Sequence, residues 1–177
     1  VWAALKLLDD EYKLSDGYIL LGHSAGATLS YQLLMGEHVL GDGAPAPSAP
    51  LPSAIVGIAG IYDLVAIDHR HQGQYAGFIT SAFGEDRDGW RRFSPSSYSG
   101  SFGKGTTTLA VSVLAWSQDD SLVDEPEVDA MTEKLVRDGA KSSTVKTLTG
   151  EHDVVWKEGT QIPPLVAKAM ASLKASA

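Results

Sequence analysis

The chain contains no cysteine, which removes disulfides, thiolate metal sites and a cysteine nucleophile together. Its 14 Lys and Arg residues face 22 Asp and Glu, a net charge of -8, and the basic residues form no stripe of the kind a nucleic-acid surface needs. No apolar run is long enough for a membrane span, and no leader-like segment opens the chain. His-Glu-x-x-His and calcium-loop spacings are missing, and the glycine-rich stretch from Gly100 to Gly105 lacks the Gly-Lys-Ser/Thr end of a phosphate loop. No metal or cofactor is implied. The expected partner is a small-molecule substrate, with neither nucleic acid nor membrane, in a cytoplasmic setting, and with a homodimer as the assembly to consider.

What is present is ordinary globular composition. The 177 residues are 44% hydrophobic and 20% charged, enough for one domain over residues 1–177 with a sizeable core. The chain starts at Val1 and not at methionine, and Val1 to Tyr12 already reads as a helix through Val1, Leu5, Leu8 and Tyr12. It therefore reads as the carboxyl-terminal portion of a longer fold.

Gly17 to Leu21 is an apolar run, Ala27 to Met35 has helical periodicity, and Gly22-His23-Ser24-Ala25-Gly26 lies between them. A Gly-x-Ser-x-Gly segment between strand and helix is a nucleophile elbow, which holds the serine in a strained turn with its hydroxyl exposed at the top of a sheet. The flanking glycines suit the crowding of that turn. A Pro/Ala/Gly-rich loop follows near residues 41–53. Ala54 to Ala59 reads as a strand buried on both faces, ended by Gly60 and Asp63. Gln72 to Phe83 can hold a helix, Gly84 to Gly89 a turn or cap, and Trp90 to Gly105 reads as irregular. Leu109 to Trp116 is the next strand. Glu125 to Asp138 is a helix with Pro126 in its first turn and Gly139 as its stop. Ser143 to Leu148 is a short strand, His152 falls in the loop after it, and Pro163 to Leu173 is a final amphipathic helix. The alternation predicts an α/β fold, a mostly parallel sheet flanked by helices. In such a sheet the chemistry lies beyond the carboxyl ends of the strands. Ser24, Asp120 and His152 each follow a strand, so they should converge.

A serine hydroxyl needs a base, usually histidine, and the base needs a carboxylate to fix its tautomer. The order Ser, acid, His is that of elbow-containing sheets. Of five histidines, His152 alone follows a strand downstream of the acid. His23 is inside the elbow, His38 lies near the end of the elbow helix, and His69 and His71 lie in a polar stretch read as solvated. Asp120, with Val123 packing back behind it, is preferred to its neighbour Asp119, read as a solvated turn residue. Asp124 reads as a capping or loop carboxylate and Asp63 as a turn residue. The backbone N–H of Ala25 is the expected oxyanion donor. A second donor normally comes from a His-Gly-Gly type loop upstream of the elbow, which this sequence does not contain.

With these residues placed, the chain resembles the α/β-hydrolase superfamily and, more closely, the fungal-type kynurenine formamidases. The similar stretches are Leu21 to Ala27, Gly60-Ile61-Tyr62-Asp63-Leu64, Ala82-Phe83-Gly84 with Ser94-Pro95, and Gly150-Glu151-His152-Asp153. The resemblance implies hydrolysis of N-formyl-L-kynurenine to L-kynurenine and formate in tryptophan catabolism, with Ser24 attacking, His152 shuttling the proton and Asp120 holding His152. It also implies amino-terminal strands that this sequence lacks, or that a second polypeptide supplies. A flat aromatic leaving group suits aromatic walls, for which His23, Phe83, Trp90, Tyr98 and Trp156 are candidates, with Arg91 or Arg92 for the substrate carboxylate. A short-acyl carboxylesterase or lipase-like enzyme using the same triad is the first rival. A non-catalytic relative that binds a ligand is the second.

Overall fold

A computed structural model describes residues 1–41, 49–104 and 109–175. Most of the proline-rich loop, residues 42–48, and Gly105 of the irregular stretch lie outside the described residues.

Strands β1 (Ile19–His23), β2 (Ala54–Ile58), β3 (Val111–Ser117) and β4 (Ser142–Leu148) form one sheet in the order β1-β2-β3-β4. All neighbours are parallel, with His23 opposite Ile58 and Ile58 opposite Ala115. Parallel neighbours need a crossover each. Here helices α1 (Trp2–Tyr12) and α2 (Ala25–Met35), the short α3 (Glu37–Leu40), α4 (Leu64–Arg70), α5 (Ala76–Phe83), α6 (Arg87–Phe93), α7 (Glu125–Asp138), α8 (Val154–Glu158) and α9 (Ile162–Lys174) surround the strands.

Side chains alternate along a strand, and β2 and β3 use the alternation to feed two cores. Ile55, Leu114 and Trp116 join Ala27, Tyr31 and Leu34 of α2 and Val128, Met131 and Leu135 of α7. Ala54, Val56, Ile58, Val111 and Val113 meet Leu165 and Ala169 of α9 on the other face. A third cluster packs Ile61, Leu64, Ile67, Ile79 and Trp90, from the excursion between β2 and β3, against Val123 in the turn after β3. Strand β2 is buried throughout, whereas Leu21 of β1 is 37% exposed, since β1 is an edge of the sheet among the described residues. No described helix is long and apolar enough to cross a membrane.

The structure corrects the sequence reading at short helices. Asp63 is the N-cap of α4, accepting from the N–H groups of Val65 and Ala66 at 3.2 and 2.9 Å. Asp86 caps α6 in a stretch read partly as irregular, and Pro95 to Ser97 makes a 3-10 turn after it. The helix expected from Gln72 begins at Ala76, and α8 follows His152 where only loop was expected. Elements of one or two turns hold too few positions for an apolar period to register, so the caps were the readable signal.

Candidate active site

The parallel sheet delivers four turns to one edge: Ser24 after β1, Ala59 to Asp63 after β2, Ser117 to Asp120 after β3, and Thr149 to His152 after β4. Ser24 has φ 54° and ψ -127°, a strained conformation for a residue with a Cβ. Its N–H donates to the Ile58 carbonyl at 2.9 Å, and its own carbonyl accepts from Ala27 at 2.9 Å as α2 begins. Gly22 is required by contact, because a Cβ there would stand 2.4 Å from the Gly26 carbonyl oxygen. Gly26 is not, since a Cβ at that position meets nothing within 4 Å; crowding accounts for only the first glycine of the motif. Ala25 opens α2, where a first-turn N–H has no intrahelical acceptor and points outward. That N–H is available to a developing negative charge.

Across the site, the Nδ1 of His152 lies 2.8 Å from the Asp120 Oδ2, with side chains 9% and 1% exposed. A carboxylate only accepts, so Nδ1 carries the hydrogen, and Nε2 is the acceptor of the ring in its neutral form. The other Asp120 oxygen accepts from Leu122 and Val123 N–H groups, each at 2.9 Å. Burial pushes the Asp120 carboxyl up, but the bonds from His152, Val123 and Leu122 outweigh it and hold the group below its ordinary range. A depressed carboxyl contributes stability above the ordinary carboxylate range, which is lost as pH falls through the folded value.

The turns carrying this pair are tied together. Ser117 donates its hydroxyl to the Gly150 carbonyl at 2.7 Å, and Gly150 donates its N–H to Asp119 at 2.8 Å. Asp119, read as a solvated turn residue, is exposed yet joins the two loops. His23 donates from Nε2 to the His152 carbonyl at 2.9 Å, and the two rings lie 4.5 Å apart. Burial and the neighbouring His152 lower the His23 imidazole below its ordinary value. His23 therefore fastens the His152 loop and does not line the cleft beside Ser24.

That cleft has a volume of about 360 Å³ and is lined by Ser24, His152, Ile61, His71, Gln74, Tyr75, Phe78, Ser121, Leu122 and Val123. Sequence reasoning missed most of this wall. His71, read as solvated, is half-buried in it, with Tyr75 packed edge-on at 5.0 Å and Asp124 3.6 Å from its Nε2. His69 is exposed. Asp124 stands at the N-cap of α7 but makes no capping bond from its side chain; its carboxylate takes a two-pronged pair from Arg70 at 2.6 and 2.9 Å. Arg70 also donates to Glu127, which accepts from the N–H groups of Tyr62 and Asp63 at 2.5 and 2.7 Å. Burial pushes the Glu127 carboxyl up to about 7 against the pull of these donors. Of these residues, Ile61, His71, Gln74, Tyr75 and Phe78 come from the segment between β2 and β3 and Ser121, Leu122 and Val123 from the turn after β3, so only the return of both segments to the strand ends reveals them as one wall.

The aromatic candidates divide. Phe83 stacks on Phe93 at 4.7 Å and lines a second, apolar cavity beside Ala25. Trp90 is buried in the third core cluster and donates its indole N–H to the Gly84 carbonyl at 2.8 Å, so it packs α6 and walls no substrate. Tyr98 packs on His38 and Phe102 under the α2 side of the sheet. Trp156 is 50% exposed on α8 beside Lys157. None of the last three lines either cavity. Arg92 donates to the His38 and Val39 carbonyls, and Arg91 is exposed on α6, so neither arginine lines the cleft.

No family model matches the chain. A kynurenine formamidase-like hydrolase of Fusarium equiseti is 34% identical over 184 aligned positions, covering 98% of this chain and 58% of that protein. A kynurenine formamidase of Aspergillus versicolor is 32% identical over 176 positions, covering 88% and 60%. The chain thus spans about three-fifths of the length of these curated relatives. Among solved structures, esterase B from Lactobacillus rhamnosis superposes with a TM-score of 0.68 at 15% identity over 99% of this chain and 60% of its own. An acetyl ester-xyloside bifunctional hydrolase from Caldicellulosiruptor lactoaceticus gives 0.66 at 16% identity over 98% and 63%. A parallel sheet carrying a strained serine between strand and helix, superposing on these two hydrolases over nearly its full length, gives the chain the α/β-hydrolase fold, and its sequence is similar to those of the kynurenine formamidase-like hydrolases.

Proposed function

We propose that the chain carries the catalytic machinery of a serine hydrolase that cleaves N-formyl-L-kynurenine to L-kynurenine and formate, a step of tryptophan catabolism. The observation that carries the mechanism is the 2.8 Å His152–Asp120 pair, with His152 and Ser24 lining one cleft. The formamide substrate is supported by the two formamidase relatives.

In this reading, the Ser24 hydroxyl attacks the formyl carbon as its proton passes to the His152 Nε2, and the imidazolium is held by Asp120. The Ala25 N–H takes the developing oxyanion. His152 then protonates the aryl nitrogen, the carbon–nitrogen bond breaks and L-kynurenine leaves. Water attacks the formyl-serine, His152 takes its proton, and formate departs as Ser24 regains its hydrogen. A single oxyanion donor is a partial arrangement, because losing one donor costs on the order of a hundred- to a thousandfold in rate. Full activity is therefore expected of a polypeptide that adds a second oxyanion donor beside Ala25.

The test is absorbance-monitored turnover of N-formyl-L-kynurenine by the natural-length protein and its Ser24→Ala variant. Loss of about a thousandfold or more in kcat is expected for the variant. Wild-type turnover without Ser24 would overturn the proposal.

A further inference from the structure

Ser24 and His152 act at one end of the proposed substrate, on the formyl carbon and the aryl nitrogen. The other end of L-kynurenine is an α-amino acid, which carries an ammonium and a carboxylate. Because His152 must protonate the leaving nitrogen, the leaving amine has to occupy the cleft that His152 and Ser24 line together. The formyl hydrogen needs no pocket, so that cleft is free to be shaped for the amine.

Most of the cleft wall has nothing to offer a charged group. Ile61, Phe78, Leu122 and Val123 are apolar, and Phe78 and Leu122 are 53% and 52% exposed. Two of the polar side chains are already engaged. The Ser121 hydroxyl donates to the Glu151 carboxylate at 2.7 Å, and the Tyr75 hydroxyl donates to the Leu122 carbonyl. Gln74 differs: among the described residues its amide has no hydrogen-bond partner, so its carbonyl and its N–H groups are both open. His71 is half-buried beside it in the wall, and its Nε2 has no hydrogen-bond partner. Asp124, at 3.6 Å, stands beyond hydrogen-bond distance and takes its bonds from Arg70.

The two open side chains come from one turn. Gln72 and Gly73 have φ of 54° and 82°, left-handed values that reverse the chain, and the Gln74 N–H donates to the His71 carbonyl at 3.1 Å. A glutamine is uncommon in that region of backbone space. The reversal returns Gln74 to the same cleft wall as His71.

We infer that Gln74 and His71 are the specificity-determining residues of the cleft, which selects aryl formamides whose amine carries an α-amino-acid end. This rests on the reading of Ser24 as the nucleophile and of a formamide as the substrate. The Gln74 carbonyl accepts from the ammonium, its N–H groups donate to the carboxylate, and the His71 imidazole adds a second donor to the carboxylate. The apolar wall covers the aryl ring. A largely apolar cleft with a few placed polar groups fixes both the orientation and the choice of ligand. The groups bound here do not change charge in the reaction, so losing these contacts should raise KM and leave kcat.

The test compares N-formyl-L-kynurenine with ortho-formamidoacetophenone, which keeps the ring and the ketone and lacks the amino acid. Both are turned over by the natural-length protein, Gln74→Ala and His71→Ala; Gln74 is exposed, so its substitution spares the core. Wild type should favour N-formyl-L-kynurenine in kcat/KM by about tenfold or more, the scale of a hydrogen bond to a charged group. Gln74→Ala should raise KM for N-formyl-L-kynurenine about tenfold, with kcat within about twofold and the acetophenone unmoved. His71→Ala should act in the same direction. A wild type indifferent to the amino acid overturns the inference, and so does a Gln74→Ala variant that loses equally on both substrates. A second measurement is independent of turnover: calorimetric binding of L-kynurenine and of ortho-aminoacetophenone to Ser24→Ala, with and without Gln74→Ala. Tighter binding of L-kynurenine that is lost with Gln74 supports the assignment, and equal binding of the two amines overturns it. Turnover that persists in Ser24→Ala would remove the nucleophile and not the recognition, which the binding measurement decides.

Discussion

Two carboxylates near the active edge of the sheet have the same local equipment and opposite fates. Asp120, in the turn after β3, accepts two backbone N–H groups from the residues just after it. Glu127, in the first turns of α7, accepts two from the distant turn after β2. Burial raises both, yet Asp120 ends below its ordinary range because His152 adds a third donor, while the wholly buried Glu127 ends near 7 even with Arg70 beside it. The difference teaches that hydrogen bonds from the backbone do not by themselves fix the charge of a carboxylate; the depth of burial and the partner decide it. Asp120 stays ionised and can support an imidazolium. Glu127 works as a fastener, tying the β2–α4 turn to α7 and thereby fixing the wall of the cleft.

The largest effect that sharpens this contrast is expected from Asp120→Asn, which keeps an acceptor for the two N–H groups but not the charge. Its kcat on N-formyl-L-kynurenine should fall by about ten-thousandfold, the scale seen when a triad acid is neutralised, with a melting temperature near wild type. A drop of less than about tenfold would make Asp120 a structural turn residue. Glu127→Ala should do the reverse: it leaves the Tyr62 and Asp63 N–H groups without their acceptor and Arg70 with Asp124 alone, so denaturant unfolding should show a loss of about 3 kcal/mol, with kcat per folded molecule falling far less than in Asp120→Asn. The same variant carries a pH signature. A carboxyl raised in the folded state binds its proton more tightly there than when unfolded, so wild-type stability falls as pH rises from 4.5 towards about 7. The melting-temperature gap between wild type and Glu127→Ala should therefore narrow across that window, and a gap that widened would contradict the assignment.

How much of this was legible in the sequence follows the same division. The elbow could be read because a rare local pattern sits between a strand and a helix, and Asp120 and His152 because each follows a strand in the order such sheets use. Alternation of strands and helices gave the parallel sheet, and the long α7 and α9 declared their apolar stripes. Glu127 could not be read, since a glutamate in the first turns of a helix looks like a favourable dipole partner facing solvent. Its burial depends on the turn after β2 arriving over it. His71, Tyr75 and Phe78 were hidden for a related reason: the segment between β2 and β3 is made of helices of one or two turns, and only its fold across the strand ends brings these side chains beside Ser24. Trp90 shows the converse. Its size suggested a substrate wall, but the third core cluster has the stronger claim on its apolar surface.

The proposed reaction stands on Ser24 as the nucleophile activated by His152 and Asp120. It is tested most directly by treating the natural-length protein with a fluorophosphonate and mapping the adduct by peptide mass spectrometry in wild type, Ser24→Ala and Asp120→Asn. A single phosphonyl group is expected on Ser24, formed rapidly in wild type, slowly in Asp120→Asn and not at all in Ser24→Ala. An unmodified Ser24, or an adduct on another residue formed at the same rate in all three proteins, would contradict it.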